Sequence, residues 1–430
     1  MDTRTVKVTI NGTGFAADYT ARVYGMIPHK NGVAIELAGV TSGRIENAEQ
    51  FAKTHHIVDA QGTARAYPDH AAMLAAARPD IDNIACANYT HAPYAIEAAE
   101  AGVGVIVLEK PPAIWPGYAE DRAADAETRR HETIARLAEV LDAVRAAGAK
   151  LLYAENFVYF DGVRGLVELL AEAMKSGKGK VLYQQGICAH QGSHAPAYDT
   201  PSKSGGGALF NKACHPLGPI LYLKQVEGIL RGGAPIRPAK VSAVAAQVMR
   251  HQPAASGEHF RVMQNVDDFG RITVVFEDRT VAEVVGHDMS ISGIRNGLSV
   301  ITDFAEYDVR VNPNDANQCF MPDAAAAGTL LFREKLPTPQ GTSFPIPRQI
   351  GVHGYVNEME DAVDCVLDPA RFPQSGPLMA WDTMAVLMAG YESSERDAAF
   401  VELAGHLASR TFAPNEFPDP AALPPAFQRV

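Results

Sequence analysis

Clustered positive charge is what this chain most clearly lacks. Lysine and arginine together number 38 against 50 aspartates and glutamates, a formal net charge of −12. That balance excludes the concentrated basic surface needed for nucleic acid or an anionic membrane, although it leaves room for a local pocket for one phosphate. Cysteine is also sparse. Cys86, Cys188, Cys214, Cys319 and Cys365 are scattered, odd in number and without close pairing, a pattern of reducing compartments rather than of disulfide frameworks. No apolar run is long enough to span a bilayer. Residues 1–6 enter a strand without a charged n-region and an apolar h-region, so no secretory signal is expected. The expectation is a cytoplasmic protein with neither membrane nor nucleic-acid partners.

What is present is α/β rhythm over a length that exceeds one domain. At 430 residues, 47% hydrophobic and 20% charged, the chain is an ordinary globular composition with two cores. The run Val103-Gly104-Val105-Ile106-Val107-Leu108 has the apolar continuity of a buried parallel strand. It ends in Glu109-Lys110-Pro111-Pro112, placing a carboxylate and an amine at the carboxyl edge of a sheet, where ligands of open α/β proteins bind. Upstream, the strand Val6 to Ile10 runs into Asn11-Gly12-Thr13-Gly14-Phe15-Ala16-Ala17. This G-x-G-x-x-A turn lets backbone approach a pyrophosphate at a helix N-terminus. The strand Ala34 to Val40 is followed by Thr41-Ser42-Gly43-Arg44 instead of an acid. An acid would repel a ribose 2′-phosphate, whereas Ser42 and Arg44 would bind it, so NADP is expected ahead of NAD. Arg44 has a second reading as a solvated residue at a helix start. Asn88 and His91 lie after the fourth strand, Ile81 to Ala87, where they could touch the cofactor, although His91 could as easily cap the helix that follows.

Together these residues resemble the Gfo/Idh/MocA oxidoreductases, the family of glucose–fructose oxidoreductase and inositol dehydrogenase. The resemblance rests on Gly12 to Ala17, on Asn88 to Pro93, on Glu109-Lys110-Pro111 and on Gly205-Gly206-Gly207 through His215. It continues through Gln374-Ser375-Gly376 to Tyr391-Glu392-Ser393-Ser394. It implies a Rossmann domain with a doubly wound parallel sheet (residues 1–150). An α/β domain with a large, mostly antiparallel open sheet would follow (151–411), and then a proline-rich tail (412–430). It implies hydride transfer between nicotinamide and a hydroxyl-bearing carbon of a sugar, polyol or related cyclic compound. It also implies a homodimer or homotetramer formed through the second sheet. Cofactor contacts are expected from Gly12, Thr13, Gly14, Phe15, Ala16, Ser42, Arg44, Asn88, His91, Glu109 and Lys110. Lys110 matches the family's catalytic lysine, and His215 the histidine of its second-domain motif. Asn211 stands where the family often has aspartate, and Pro216-Leu217-Gly218 follows where a further acid is common. Asparagine can hydrogen-bond but carries no charge, so Asn211 is assigned to substrate positioning.

Other candidate substrate contacts are Lys110, Glu155, Asn156, His190, His194 and His215. Glu155 and Asn156 end the strand that begins at Leu151, and they face the interdomain cleft or cap the next helix. His190 and His194 lie in a loop rich in donors and acceptors, of the kind a polyhydroxylated ligand requires. The His190/His194 spacing with Cys214 and His215 also suggests zinc, but Gly192 and Pro196 work against the helix such a pair needs. No metal is expected. A cationic nicotinamide ring and a second base beside Lys110 would lower its pKa. Residues 312–350 read as an irregular excursion, and two rivals remain: a non-catalytic nucleotide sensor and a metal-dependent hydrolase or lyase.

Overall fold

The computed structural model describes residues 4–27, 32–192, 196–252, 263–291, 293–312, 319–321, 341–343, 353–405, 409–419 and 421–422. The first half alternates strand and helix. In order they are β1 (Arg4–Asn11), α1 (Phe15–Tyr24), β2 (Val33–Thr41), α2 (Ile45–Thr54), β3 (Ala66–Tyr67), α3 (His70–Ala77) and β4 (Ile81–Ile84). There follow α4 (His91–Glu100), β5 (Val105–Glu109), α5 (Ala126–Ala146) and β6 (Lys150–Ala154). All pair in parallel, in the order β3-β2-β1-β4-β5-β6. That order reverses at β1/β4, the switch point at which such sheets bind dinucleotides. β5 is buried from Val105 to Leu108, which explains its unbroken apolar run. β6 pairs residue by residue with β5, so this sheet extends past residue 150.

The second half contains α6 (Asp161–Met174), β7 (Val181–His190), α7 (Pro201–Ser204), α8 (Ala208–Asn211), α9 (Cys214–Gly232), β8 (Pro238–Ala246), β9 (Phe269–Phe276), β10 (Val281–His287), β11 (Ile294–Thr302) and β12 (Glu306–Asn312). Its sheet has the order β12-β11-β7-β10-β9-β8-β15, with β15 at Val401–Glu402. Only β7 and β10 pair in parallel; the other neighbours run antiparallel. The inward residues Ile272, Val274, Ala282 and Val284 are buried, whereas Arg271, Thr273, Glu283 and Val285 on the other face are half-buried or exposed. Within residues 312–350, β13 (Cys319–Met321) and β14 (Gly341–Ser343) pair as an antiparallel ribbon; the remainder of that excursion falls outside the described residues.

Two late helices return across the molecule. Helix Tyr355–Leu367 buries Met359, Ala362, Val363 and Cys365 against Val6, Val8, Val105 and Leu152 of the first sheet. Helix Pro377–Glu395 is buried nearly throughout and belongs to the large core that also holds residues of α5, α9 and the second sheet. The described part of the proline-rich tail lies over the chain itself, with Arg145 pairing with Glu416 at 2.8 Å and Arg371 donating to the Ala422 carbonyl. No helix among the described residues is long and apolar enough to cross a membrane.

Candidate functional site

The phosphate-binding turn is built as its spacing requires. Gly12 has φ +127°, and a methyl group there would collide with the Ala85 carbonyl just past the end of β4. Only glycine satisfies both conditions. Gly14 caps α1 without a side-chain hydrogen bond to the first turn, and a methyl group at Gly14 would meet nothing within 4 Å. The result is an open cradle at a helix N-terminus, suited to an anion. Asn11 lies beneath it, buried, with its Nδ2 unpartnered among the described residues. Sequence reasoning passed over Asn11, although it immediately precedes the fingerprint. Thr13 Oγ1 donates to Ser42 Oγ over 3.3 Å, joining this turn to the end of β2. Arg44 is exposed. The nearest acid along β2, Glu36, is paired with Arg65. Phe15 is half exposed, and it packs on Tyr19, which in turn meets Tyr355 of the returning helix. Ala16 occupies the first turn of α1. The turn and the end of β2 together fit a dinucleotide.

His91 is engaged differently from the expectation of a cofactor contact. It starts α4, is buried, and places Nδ1 2.7 Å from the Pro111 carbonyl and Nε2 3.3 Å from the Cys86 carbonyl. Burial pulls its pKa down to about 4, so the ring is neutral and its single N–H can donate to only one of these two carbonyls. Asn88 Nδ2 donates 2.8 Å to the Ser204 carbonyl and lies 3.4 Å from Asn211 Oδ1. A cavity of about 780 Å³ borders this loop, with Asn88, Trp115, Tyr118 and Lys203 in its wall; Lys110 and His215 do not line it.

Lys110 emerges from the end of β5 into a group of acids. Burial pushes the Glu109 carboxyl up to about 7, with Lys110 pulling the other way. Burial also lifts Glu155 and Glu358 well above the ordinary carboxylate range. For Lys110 itself, burial opposes the charge, but Cys214, Glu109 and Glu155 outweigh it and its pKa is raised. The groups that the chain itself places around Lys110 are thus acids rather than cations. Among the described residues, Glu358 Oε1 has no hydrogen-bond partner.

His215 stands in the first turn of α9, which tolerates Pro216 because amides there need no intrahelical acceptor. Its Nδ1 is 3.1 Å from Glu155 Oε1, its ring stacks on Phe157 at 5.1 Å, and its side chain is 16% exposed. Glu155 is fully buried, and its Oε1 also accepts the Phe157 amide at 3.3 Å. It therefore caps the short 3-10 turn Asn156–Tyr159 while meeting His215. Asn156 is buried and donates 2.6 Å to the His353 carbonyl. Asn211 is buried too, and its Nδ2 donates to the Gly206 carbonyl at 2.7 Å and approaches those of Ser204 and Gly207. Aspartate could not donate these bonds, which accounts for the amide at this position.

His190 ends β7, with Nε2 3.5 Å from Cys188 Sγ. Cys188 lies within electrostatic reach of Lys212, Lys110 and Glu155, so this strand end belongs to the same cluster. His194 lies outside the described residues. Lys212 was missed by sequence reasoning. It is buried, with Nζ 3.6 Å from Asp288 Oδ1 and 4.7 Å from the Tyr198 ring centre. Ligand-type atoms of Glu155, Cys214 and His215 lie within 4.8 Å of one another. Burial holds the Cys214 thiol up in its neutral form, and the cation placed beside this trio is the Lys110 ammonium.

The Gfo/Idh/MocA family model, described as an oxidoreductase family with an NAD-binding Rossmann fold, matches residues 6–137. Over 121 residues the chain is 31% identical to D-glucoside 3-dehydrogenase of Escherichia coli, covering 28% of this chain and 31% of that relative. The match thus spans about a third of the curated relative's length. GenD2 from gentamicin A biosynthesis, in complex with NAD, superposes with a TM-score of 0.72 at 20% identity, covering 93% of this chain and 96% of that one. The myo-inositol 2-dehydrogenase from Lactobacillus plantarum gives 0.66 at 15% identity, covering 93% and 99%. At such identities these two show a shared fold across both halves. Residues 6–137 thus match the Gfo/Idh/MocA oxidoreductase family, with that family's NAD-binding Rossmann fold.

Proposed function

We propose that the protein is an NAD(P)-dependent dehydrogenase acting on a hydroxyl or keto carbon of a sugar, polyol or related cyclic compound. The observation that carries this reading is the convergence of Lys110, from the end of the parallel sheet, with His215, from the second half, around buried Glu155. Proton-carrying groups are thereby brought to the sheet edge that also bears the dinucleotide turn. The turn at Gly12 to Ala16 would hold the pyrophosphate. Ser42 and exposed Arg44 favour NADP through a 2′-phosphate, with NAD as the alternative. Nicotinamide, when bound, supplies the hydride acceptor or donor. As the substrate C–H bond breaks, the hydroxyl proton passes to His215, or to Lys110 once that ammonium has given up a proton of its own. His190 and Lys212 would contribute hydrogen bonds to a polyhydroxylated substrate.

The outer face of the second sheet carries Ile187, Val275 and Val285, half-buried beside the Arg271–Glu283 pair. This mixed face supports a homodimer or homotetramer, which light scattering tests. Free Cys86, Cys188, Cys214 and Cys365 fit a reducing, cytoplasmic setting.

The direct experiment screens sugars, glycosides, inositols and their keto forms by the absorbance of reduced cofactor, with NAD and NADP in parallel. Lys110→Met is expected to lower turnover by about 10²-fold or more, as loss of a general acid–base group does, with cofactor affinity retained. Undiminished turnover in that variant sinks the assignment. Cofactor binding without turnover across the panel would make the protein a nucleotide-binding sensor.

A further inference from the structure

A neutral histidine serves as a base at one ring nitrogen only when something holds the proton on the other. We propose that Glu155 is the positioning residue for His215, accepting a hydrogen bond from Nδ1–H so that the proton stays on Nδ1, Nε2 is the basic nitrogen, and the charge that arrives there is compensated. The inference rests on the dehydrogenase reading above and names the part that completes it.

Six observations converge. Glu155 Oε1 is 3.1 Å from His215 Nδ1, although the two residues come from different elements 60 positions apart. The carboxylate is fully buried, where a carboxylate requires a specific partner. Its second oxygen, Oε2, has no hydrogen-bond partner among the described residues, so its compensation comes from the imidazole and the Phe157 amide at Oε1 and from the charge of Lys110. α9 is also shaped to admit it: Gly218, one turn after His215, lies against Glu155 Cγ, and a methyl group at 218 would collide with that atom. Asn211, at the position where the family resemblance places an acid, points its amide at carbonyls of the glycine loop and cannot serve His215. The carboxylate absent at 211 is thus supplied from the end of β6. Phe157, two residues on, stacks on the same ring, so a single segment both orients the imidazole and polarises it. The titratable groups around the pair are Lys110, Glu109, Glu358, Cys188, Cys214, Tyr153 and Tyr355.

The test compares wild type with Glu155→Gln, which keeps the shape and removes the charge. The enzyme is labelled with 15N-histidine, and the His215 signals are identified by their loss in His215→Gln. Wild type is expected to show one Nδ1-protonated tautomer without any substrate, and Glu155→Gln a shifted, mixed pattern. In turnover, Glu155→Gln should lower kcat by about 10–100-fold, the usual cost of losing such a partner, with KM within about 3-fold, while Glu155→Asp restores part of the loss. Identical nitrogen spectra, or an unchanged kcat, would overturn the proposal. Should Glu155→Gln fail to fold, Gly218→Ala displaces the carboxyl without removing it and must shift the same signals. If wild type turns over nothing in the panel, the dehydrogenase reading falls, yet the spectra still decide whether Glu155 sets the tautomer.

Discussion

Arg44 and Asn211 illustrate how far one residue can be interpreted alone. Arg44 is exposed at the start of α2, with no acid at the end of β2 to oppose a phosphate. Arg44→Ala is therefore expected to weaken NADP binding by roughly 10–100-fold, as expected for a charge-assisted hydrogen bond of about 1.5–3 kcal/mol. NAD affinity should hardly move. Titration calorimetry with both cofactors checks this, and an equal loss for both would mean that Arg44 merely supports the turn. Lys110 was legible in the sequence because an apolar strand ending in Glu-Lys-Pro-Pro can place those groups only at a sheet edge. The roles of Asn211 and Glu155 were not. Asn211 faces inward to three carbonyls, and Glu155 meets a histidine far along the chain. No local pattern encodes either contact.

At the scale of elements, local chemistry accounts for much of the first sheet. The turn at Gly12, the Asp69 cap that accepts the Ala72 amide of α3 and the Asp125 cap that accepts the Thr128 amide of α5 each follow from residue type. One tie between elements left no such signal. His70 of α3, all but out of solvent, places Nε2 2.8 Å from buried Asp82 of β4 and Nδ1 2.5 Å from the partly exposed Glu97 of α4. Burial works against the imidazolium, but Asp82 and Glu97 outweigh it and raise the His70 pKa. A histidine with a raised folded-state pKa contributes fully below its unfolded value, about 6.5, and loses that contribution as pH rises through the folded value. His70→Gln should therefore cost about 3 kcal/mol near pH 6, a buried pair broken on one side. The gap from wild type should narrow by pH 9. Urea denaturation at both pH values measures it, and a gap that widens with pH contradicts the charged-histidine assignment.

The whole molecule is less separable than its composition suggests. The first core is completed by Met359, Ala362, Val363 and Cys365 from helix Tyr355–Leu367, some 200 residues beyond the last strand of that sheet. A fragment of residues 1–154 would leave Val6, Val8, Val105 and Leu152 uncovered, at a cost of about 1.5–3 kcal/mol for each large side chain returned to water. It is expected to lack a cooperative thermal transition and to bind cofactor poorly. A sharp transition with full-chain cofactor affinity would show that the helix merely decorates a self-sufficient domain. The strand-and-helix alternation, the phosphate turn and the lysine at the strand end were written in the chain, because each depends on neighbours a few residues away. The return of the late helix, the burial of Asn211 and the Glu155–His215 contact arise when distant segments compete for the same interior, where close packing and the cost of unpaired polar groups select one arrangement.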